Sequence, residues 1–404
     1  MKAIVIGGGA AGMMAACTAA GNGHDVTVLE RNEKTCRKLC ITGKGRCNVT
    51  NACTREEFFA SIRTNPRFLY SSYAAFTSED AQKFFEDAGV PLKIERGNRV
   101  FPVSDSAYDI ADALLHTARN RGVRIVQGRA FEITSENGAV TGVRYESDGV
   151  KKFLSADAVI LTTGGASYPL TGSTGDGYSM LKALGHTIVE PQGSLVPLEA
   201  PDCAPMQGLS LKNTGMKLYN GGKVVYEDFG ELLFTHFGLS GPVILSASAF
   251  MRGEGQWKVV LDLKPALDET ELDARLLRDF SEAPNKSFAN VLGGLAPRLM
   301  IPELIRRSGI SGAKPVNIVT KKERARLVQT FKRMEFPITG KRPIAEAIVT
   351  AGGVNVREFD PKTLASKLVR GLYCAGEILD VDAFTGGFNL QIAWSTGFAA
   401  GKLG

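Results

Sequence analysis

The apolar pattern of the first thirty residues predicts a strand, a helix and a second strand. Residues 3–6 are mostly β-branched, residues 12–22 are small and largely apolar, and residues 25–29 return to a strand pattern that ends at Glu30. Strand and helix periods that alternate in this way are typical of an α/β domain built on a parallel sheet.

The first half of the chain continues this alternation. Two helices and a strand are predicted at residues 80–88, 108–121 and 123–127. Three short strands then predict an antiparallel meander, with Asn137 and Gly138 as a hairpin turn. These strands cover residues 130–135, 139–147 and 152–154. Residues 158–162 form a β-branched run that is typical of a buried parallel strand.

From about residue 190 the pattern changes to short apolar segments separated by glycine and proline, which predicts a β-rich domain. Three helical segments follow and predict a small cap: 267–280, 288–308 and 321–334. Pro302 lies inside the second segment and is expected to bend or divide it. Residues 345–349 and 372–375 return to the strand pattern. The expected domains are a discontinuous first domain (1–190 and 345–404), a β-rich domain (191–265 and 336–344) and a helical cap (266–335).

A glycine motif follows the first predicted strand. Gly7, Gly9 and Gly12 form G-x-G-x-x-G, and Ala10 and Ala11 lie at the start of the helix. The first glycine permits a tight turn, the second lets the backbone approach a pyrophosphate, and the third packs the helix on the strand. Unpaired N–H groups of the helix favour phosphate there. Glu30, eighteen residues after Gly12, is placed to accept hydrogen bonds from ribose hydroxyls.

The C-terminus carries a second motif, and it indicates FAD as the cofactor. A strand ends in Gly376 and Glu377, where an acid can hold the ribityl hydroxyls of a flavin. A final helix opens in the segment that contains Gly387, Phe388, Asn389 and Leu390. The N-terminus of this helix can stabilise negative charge that develops on a reduced flavin. The predicted fold class is therefore α/β, with a discontinuous Rossmann-like FAD-binding domain of the two-dinucleotide-binding-motif type.

Composition and charge narrow the function classes. The 404 residues are 44% apolar and 22% charged, as in ordinary globular proteins. Glycines interrupt the apolar N-terminus, so no targeting or membrane segment is expected and a cytoplasmic location is inferred. The seven cysteines match no zinc or iron–sulfur spacing, and no metal is expected. From Arg298 to Arg342 there are twelve Lys/Arg and three Glu, a net +9 in a chain of net +6.

Several segments resemble the bacterial HI0933-like family, also called BaiN-type NAD(P)/FAD-dependent oxidoreductases. The resemblance runs along nearly the whole chain and rests on KLCITGKGRCNVTN (38–51), TTGG (162–165), TGSTGDG (171–177), ELLFTHFGLSGP (231–242) and the C-terminal segments 371–377 and 385–390. Thr42 stands where the family usually has Ser, and Lys44 where it often has Gly. Family members include ribosomal RNA dihydrouridine synthases, bile-acid enone reductases and aminoacetone oxidases.

The resemblance implies tightly bound, non-covalent FAD, with the loop 42–51 running toward the flavin. Further cofactor contacts are expected from basic, glycine and threonine positions: Arg31, Lys38, Gly43, Gly45, Arg46, Cys47, Thr163 and Gly164. Lys38 and Arg46 can balance the charge of phosphate or reduced flavin. No second G-x-G-x-x-G follows Gly12, so NAD(P)H is expected as a transient reductant without a domain of its own.

Five residues are candidates for the substrate side. Cys47, whose thiol has an ordinary pKa of about 8.5, can protonate carbon, and Asn48 lies beside it. His236 and Tyr168 are candidate donors to a substrate carbonyl. Arg342 can bind an anionic group of the substrate or line a domain hinge. A packing role remains open for Cys47, and a core or hinge role for His236.

The leading functional hypothesis is reduction of a carbonyl-conjugated C=C bond by hydride from flavin N5, with uridine in ribosomal RNA as substrate. The basic segment from Arg298 to Arg342 supports it, because lysines and arginines can neutralise RNA phosphates. A solvated helix face is the plain alternative. The other hypotheses are reduction of a small-molecule enone such as a 3-oxo bile acid, oxidation of aminoacetone, and a non-enzymatic flavin or nucleotide sensor. Substrate, electron donor and oligomeric state stay open at this point.

Overall fold

Two sets of residues form separate units in the computed structural model, which describes residues 1–251 and 253–404. Unit 1 contains residues 1–194 and 343–404, and unit 2 contains residues 195–342. No helix in these described residues is both long enough and apolar enough to cross a membrane.

The first segment of unit 1 alternates strands and helices. Its elements are β1 (Lys2–Ile6), α1 (Ala10–Gly21), β2 (Asp25–Glu30), α2 (Arg37–Ile41), β3 (Thr50–Asn51), α3 (Arg55–Ala60), α4 (Tyr70–Ala75), α5 (Ser78–Asp87), β4 (Leu92–Glu95), β5 (Arg99–Pro102), α6 (Ala107–Asn120), β6 (Arg124–Gln127), β7 (Arg129–Glu136), β8 (Ala139–Ser147), β9 (Val150–Ser155), β10 (Ala158–Leu161), α7 (Asp176–Ala183) and β11 (Ile188–Ser194). The short helices α3 and α4 and the small sheet β3-β5-β4 were not predicted from the sequence.

Unit 2 combines a sheet with helices. Its elements are β12 (Leu198–Glu199), β13 (Ser210–Asn220), β14 (Lys223–Phe234), β15 (Gly238–Ser240), α8 (Pro242–Ser248), β16 (Trp257–Asp262), α9 (Glu269–Glu282), α10 (Phe288–Leu292), α11 (Ile301–Ser308), α12 (Lys321–Lys332), β17 (Met334–Ile338) and β18 (Gly340–Lys341). Within the described residues the strands form one antiparallel sheet in the order β17-β16-β13-β14-β15-β12-β18. The prediction of a β-rich middle segment is confirmed.

The chain returns to unit 1 through β19 (Val349–Val354), β20 (Leu372–Cys374) and α13 (Phe388–Gly401). A parallel sheet in the order β20-β10-β1-β2-β6 forms the centre of the unit. In its register Val5 lies between Val28 and Ile160, and all three side chains are fully buried. The predicted meander is confirmed as β7-β8-β9, with Asn137 and Gly138 both at positive φ in its turn.

Two element predictions were wrong in detail. The helix predicted over 288–308 is divided into α10 and α11, and Gly293 and Gly294 end the first part. Pro302 lies in the first turn of α11, where its missing N–H costs no hydrogen bond. The strand predicted at 345–349 begins only at Val349, because a 3-10 turn at Ile344–Glu346 follows Pro343.

Helix α13 packs closely on α1, and glycine makes this approach possible. A Cβ atom on Gly397 would lie 2.4 Å from Ala11 O, and one on Gly401 would lie 2.5 Å from Ala15 O. Both distances are shorter than atoms can approach, so the two ends of the chain meet along a line of small residues.

Candidate active site

The N-terminal glycines divide into two structural positions and one open position. Gly7 has φ +101°, and a Cβ there would lie 2.6 Å from Thr162 O. A Cβ on Gly12 would lie 1.9 Å from Gly7 O. Gly9 is the N-cap of α1, and a Cβ there would meet no described atom within 4 Å. The helix end therefore presents free N–H groups of its first turn beside open space, as a bound pyrophosphate requires.

Glu30, buried at the end of β2, ties this turn to the next segment. One carboxylate oxygen accepts a hydrogen bond from Gly8 N at 2.7 Å, and the other accepts from Asn32 N at 2.8 Å. A carboxylate has further lone pairs, so ribose hydroxyls can still bind to it. Arg31 donates to Thr174 Oγ1 at 2.7 Å, which brings the 171–177 loop to this edge of the sheet.

The loop after α2 has an unusual backbone. Gly43, Lys44, Gly45 and Cys47 all have positive φ. Such conformations are costly for Lys44 and Cys47, which carry side chains, and they persist only where the surroundings fix them. Strain of this kind is concentrated at functional sites in proteins.

Helix α13 supplies those fixing contacts. Trp394 Nε1 donates to Val49 O at 2.8 Å, and Thr50 Oγ1 donates to Gln391 Oε1 at 2.7 Å. Gly387 has φ +97°, and a Cβ there would lie 2.4 Å from Thr50 O. The 42–51 loop and the C-terminal motif therefore form one hydrogen-bonded structure.

The start of α13 has no side-chain cap hydrogen bond, so its first N–H groups remain available to a ligand. Asn389 is engaged with the preceding loop: its Nδ2 donates to Ala383 O at 2.8 Å, and its Oδ1 accepts from Ala383 N at 3.0 Å. Phe388 lies 6.2 Å from the Phe58 ring, and Leu390 packs against the core of unit 1.

Glu377, placed by the second motif, lies in a polar cluster. It accepts hydrogen bonds from Lys38 Nζ at 2.7 Å, Ser167 Oγ at 2.9 Å and Thr350 N at 2.8 Å. Burial acts to raise the pKa of this carboxyl, but the Lys38 charge and these hydrogen bonds outweigh it and hold the pKa below its usual value. Lys38 is therefore the counter-ion of Glu377.

Three buried polar atoms near these motifs lack a hydrogen-bond partner among the described residues. They are Asn48 Oδ1, Thr163 Oγ1 and Tyr178 Oη. Buried polar groups in folded proteins nearly always have a partner, so unpaired ones call for a ligand or an ordered water molecule. Together with the open space at Gly9, they fit a cofactor that runs from the α1 N-terminus toward the 42–51 loop.

Cys47 is fully buried, and its environment changes the acidity of its thiol. Burial raises the pKa to about 12, with a smaller opposing hydrogen bond from Thr42. The thiol therefore keeps its proton at neutral pH and is a poor nucleophile.

Arg46, in the same loop, is held by two acids. It forms ion pairs with Glu95 and Asp105, and its guanidinium lies 4.1 Å from the centre of the Phe101 ring. Its charge is thus compensated on the β4–β5 side of the loop. Gly45, next to it, faces open space.

Unit 2 brings His236 and Arg342 to one ring. His236 is exposed at the turn between β14 and β15, and its ring contacts Phe237 edge-on at 5.0 Å. The Arg342 guanidinium lies 4.6 Å from the centre of the same Phe237 ring and donates to Glu199 Oε1 at 3.0 Å. In unit 1, Tyr168 is exposed and has φ +51°, just after the Gly164–Gly165 turn.

The basic segment is partly neutralised within unit 2. At least six of its twelve cations form ion pairs there: Arg306, Arg307, Lys314, Arg324, Lys332 and Arg342. Arg298, Lys321, Lys322 and Arg333 are exposed and form no ion pair with a described residue. The surface charge is therefore smaller than the sequence count.

Several residues of the site were not predicted. Ser167, Thr350, Gln391 and Trp394 hold Glu377 or the 42–51 loop, but each is an ordinary polar or aromatic residue within a strand, helix or turn. Only their partners across the fold reveal these roles. Asn51 lies in the 38–51 motif but was not predicted as a site residue, and its side chain donates to Gly386 O at 2.9 Å.

Comparison with known proteins identifies a matching family and similar proteins along nearly the whole chain. The chain matches the family described as HI0933-like protein Rossmann domain over residues 1–403. It is 32% identical to a 3-dehydro-bile acid delta(4,6)-reductase of Clostridium scindens, with 98% of this chain and 97% of the relative covered. It is 30% identical to a ribosomal RNA dihydrouridine synthase of Escherichia coli, with 99% and 97% covered.

Solved structures show the same fold at low sequence identity. The 3-ketosteroid delta1-dehydrogenase of Sterolibacterium denitrificans aligns with a TM-score of 0.55 at 12% identity, covering 99% of this chain and 98% of that one. The 3-ketosteroid-delta4-(5alpha)-dehydrogenase of Rhodococcus jostii RHA1 aligns with a TM-score of 0.50 at 15% identity, covering 99% and 96%.

Proposed function

The chain belongs to the HI0933-like family of FAD-dependent oxidoreductases, and we propose that it is an enzyme reducing a carbon–carbon double bond conjugated to a carbonyl group. When bound, FAD supplies the hydride from flavin N5. The observation that carries the proposal is the hydrogen-bonded union of the strained 42–51 loop with the C-terminal motif, in the same unit as the N-terminal glycine turn.

The cofactor residues have separable roles. The first turn of α1, with Gly9 beside it, would hold the pyrophosphate, and Glu30 the adenosine ribose. Glu377 would accept a hydrogen bond from a ribityl hydroxyl. The start of α13 would place its N–H groups toward developing negative charge. The open space at Gly9 supports the pyrophosphate assignment, and the uncapped start of α13 supports the last one.

Protonation of the substrate carbon requires an acid that still carries its proton. Cys47 meets this condition at neutral pH because its pKa is about 12. The unpaired amide oxygen of Asn48 would accept a hydrogen bond from a substrate N–H group and so orient it. Tyr168 and His236 are exposed and are the alternative proton donors. Arg342, whose guanidinium lies over the Phe237 ring, would bind an anionic group of the substrate.

The leading substrate is uridine in ribosomal RNA. The full-length similarity to the E. coli enzyme and the exposed cations Arg298, Lys321, Lys322 and Arg333 support it. These cations would bind phosphates, and their contribution would fall with salt concentration.

A small-molecule enone is the second candidate. It is supported by the internal pairing of at least half of the basic segment and by the full-length similarity to the C. scindens reductase. An acidic steroid-like substrate has no phosphates and would need only one cation to bind its carboxylate, for which Arg342 is the candidate. Transient NAD(P)H is proposed as electron donor in both cases.

The test is mass spectrometry of ribosomal RNA nucleosides from cells with and without this gene. Loss of dihydrouridine, restored by the wild-type gene, is the expected result. In parallel, the purified FAD-loaded protein is reduced with NADH or NADPH and mixed with RNA from the deletion strain or with a 3-oxo-4-ene bile acid. Faster flavin reoxidation by the bile acid, with unchanged RNA nucleosides, would favour the second candidate. Reoxidation by oxygen alone would contradict both.

A further inference from the structure

The cluster around Glu377 joins four separate segments of unit 1. Lys38 comes from α2, Ser167 from the turn after β10, Thr350 from β19 and Glu377 from the C-terminal motif. Lys38 Nζ donates to both Ser167 Oγ and Glu377 Oε2 at 2.7 Å, while Ser167 Oγ donates to Glu377 Oε1 at 2.9 Å. The three side chains therefore form a closed triangle.

The triangle leaves the carboxylate short of one partner. A carboxylate has about four acceptor positions, and protein groups at Glu377 fill three of them: Ser167 and Thr350 on Oε1, and Lys38 on Oε2. The Glu377 side chain keeps 21% of its surface exposed, and Oε2 accepts a hydrogen bond from no described residue other than Lys38. Gly165 keeps the cluster compact, since a Cβ there would lie 2.2 Å from Thr350 Oγ1.

We propose that Lys38 is a positioning residue: its cation keeps Glu377 ionised and fixes the carboxylate so that Oε2 accepts a ribityl hydroxyl of FAD. This inference rests on the proposed function, because it requires flavin at this edge of the sheet. It replaces a direct role for Lys38 at the pyrophosphate with an indirect role through Glu377.

Removing the cation should make flavin binding depend on pH. Tyr178 of α7 is a second titratable group that interacts with Glu377, and its pKa is raised by burial and then by the Glu377 and Asp380 charges. Tyr178 therefore stays neutral at ordinary pH. In Lys38→Met, burial acts on Glu377 without a counter-ion and favours its protonated form. Wild type should bind FAD equally from pH 5.5 to 8, whereas the variant should lose affinity as the pH falls.

The experiment is a double-mutant cycle on the FAD dissociation constant, measured with deflavinated protein by fluorescence. Lys38→Met and Glu377→Gln are each expected to weaken binding at least tenfold at pH 6. The double variant is expected within about threefold of Glu377→Gln, with a flat pH profile. Lys38→Arg should restore the flat profile, and Lys34→Met, an exposed lysine of the same segment, should match wild type.

Additive losses in the double variant, or an unchanged pH profile in Lys38→Met, would overturn the inference and place Lys38 at the phosphates instead. Thermal melting of the deflavinated variants monitors folding. If Lys38→Met does not fold, Lys38→Gln enters the same cycle. Wild type that folds but takes up no FAD would overturn the proposed function itself, so the two failures are distinguishable.

Discussion

At the scale of single residues, the candidate site depends on glycines, because an added Cβ atom would either overlap a neighbouring atom or fill the space left for a ligand. Gly12 and Gly9 belong to one motif but meet different surroundings: a Cβ on Gly12 would overlap Gly7 O, whereas one on Gly9 would enter open space. Gly12 therefore leaves no room for a side chain in the fold, and Gly9 is proposed to leave room for the pyrophosphate.

Gly9→Ala should therefore separate folding from cofactor binding. Its unfolding free energy without FAD should fall by no more than about 1 kcal/mol, the cost of alanine at an N-cap. FAD affinity should fall at least tenfold, because the new methyl group occupies the phosphate space. Gly12→Ala is the matched control and should lose about 1–3 kcal/mol or more through overpacking. Urea unfolding and flavin titration measure both; equal stability losses in the two variants would contradict this difference.

Cys47→Ala tests the proton donor. Reduction of the flavin by NAD(P)H should be unchanged, while reoxidation by substrate should slow by about 10²–10⁴-fold, the usual contribution of a general acid. Since the pKa of Cys47 is about 12, the wild-type rate should not fall through deprotonation of this thiol between pH 6 and 9. Stopped-flow absorbance measures each half-reaction. Cys40→Ala is the control, and equal rates in all three proteins would assign the proton to Tyr168 or His236.

At the scale of elements, α13 fixes the 42–51 loop. The loop has four positive-φ residues within five positions, and the indole of Trp394 holds the carbonyl of Val49 just after them. A strained loop stays in one conformation only if its neighbours supply more free energy than the strain costs.

Trp394→Phe should release part of this loop. It leaves the Val49 carbonyl without its partner, at a cost of about 1–3 kcal/mol in unfolding free energy. FAD affinity should fall in parallel, because the loop no longer keeps one conformation. Trp257, the other tryptophan, lies in β16 of unit 2, and Trp257→Phe should leave FAD affinity unchanged. Denaturation with and without FAD gives both quantities; an unaltered FAD affinity in Trp394→Phe would show that the loop needs no such anchor.

At the scale of the whole molecule, the exposed cations of the basic segment can be used to distinguish an RNA substrate from a bile acid. Lys321 and Lys322 lie at the first two positions of α12, and glutamates there would suit the positive end of the helix. The double variant Lys321→Glu/Lys322→Glu should therefore fold normally. If RNA is the substrate, its affinity should weaken and its dependence on salt should become shallower. Filter binding from 50 to 300 mM salt measures this, with bile-acid turnover as the control that should not change. An unaltered salt dependence would remove these lysines from the RNA surface.

The sequence by itself determined the parallel sheet, the meander and both glycine motifs. These features depend on local patterns, namely β-branched runs, turn residues and glycine spacing, which act over a few residues. Tertiary structure alone decided the partners of charged groups. Lys38 was predicted to contact phosphate or flavin, but it pairs with Glu377, 339 positions away. At least half of the cations of the basic segment form ion pairs with acids of unit 2. Ion pairs form between side chains that the fold brings within a few ångströms, and the separation of two residues along the sequence does not give their distance in space.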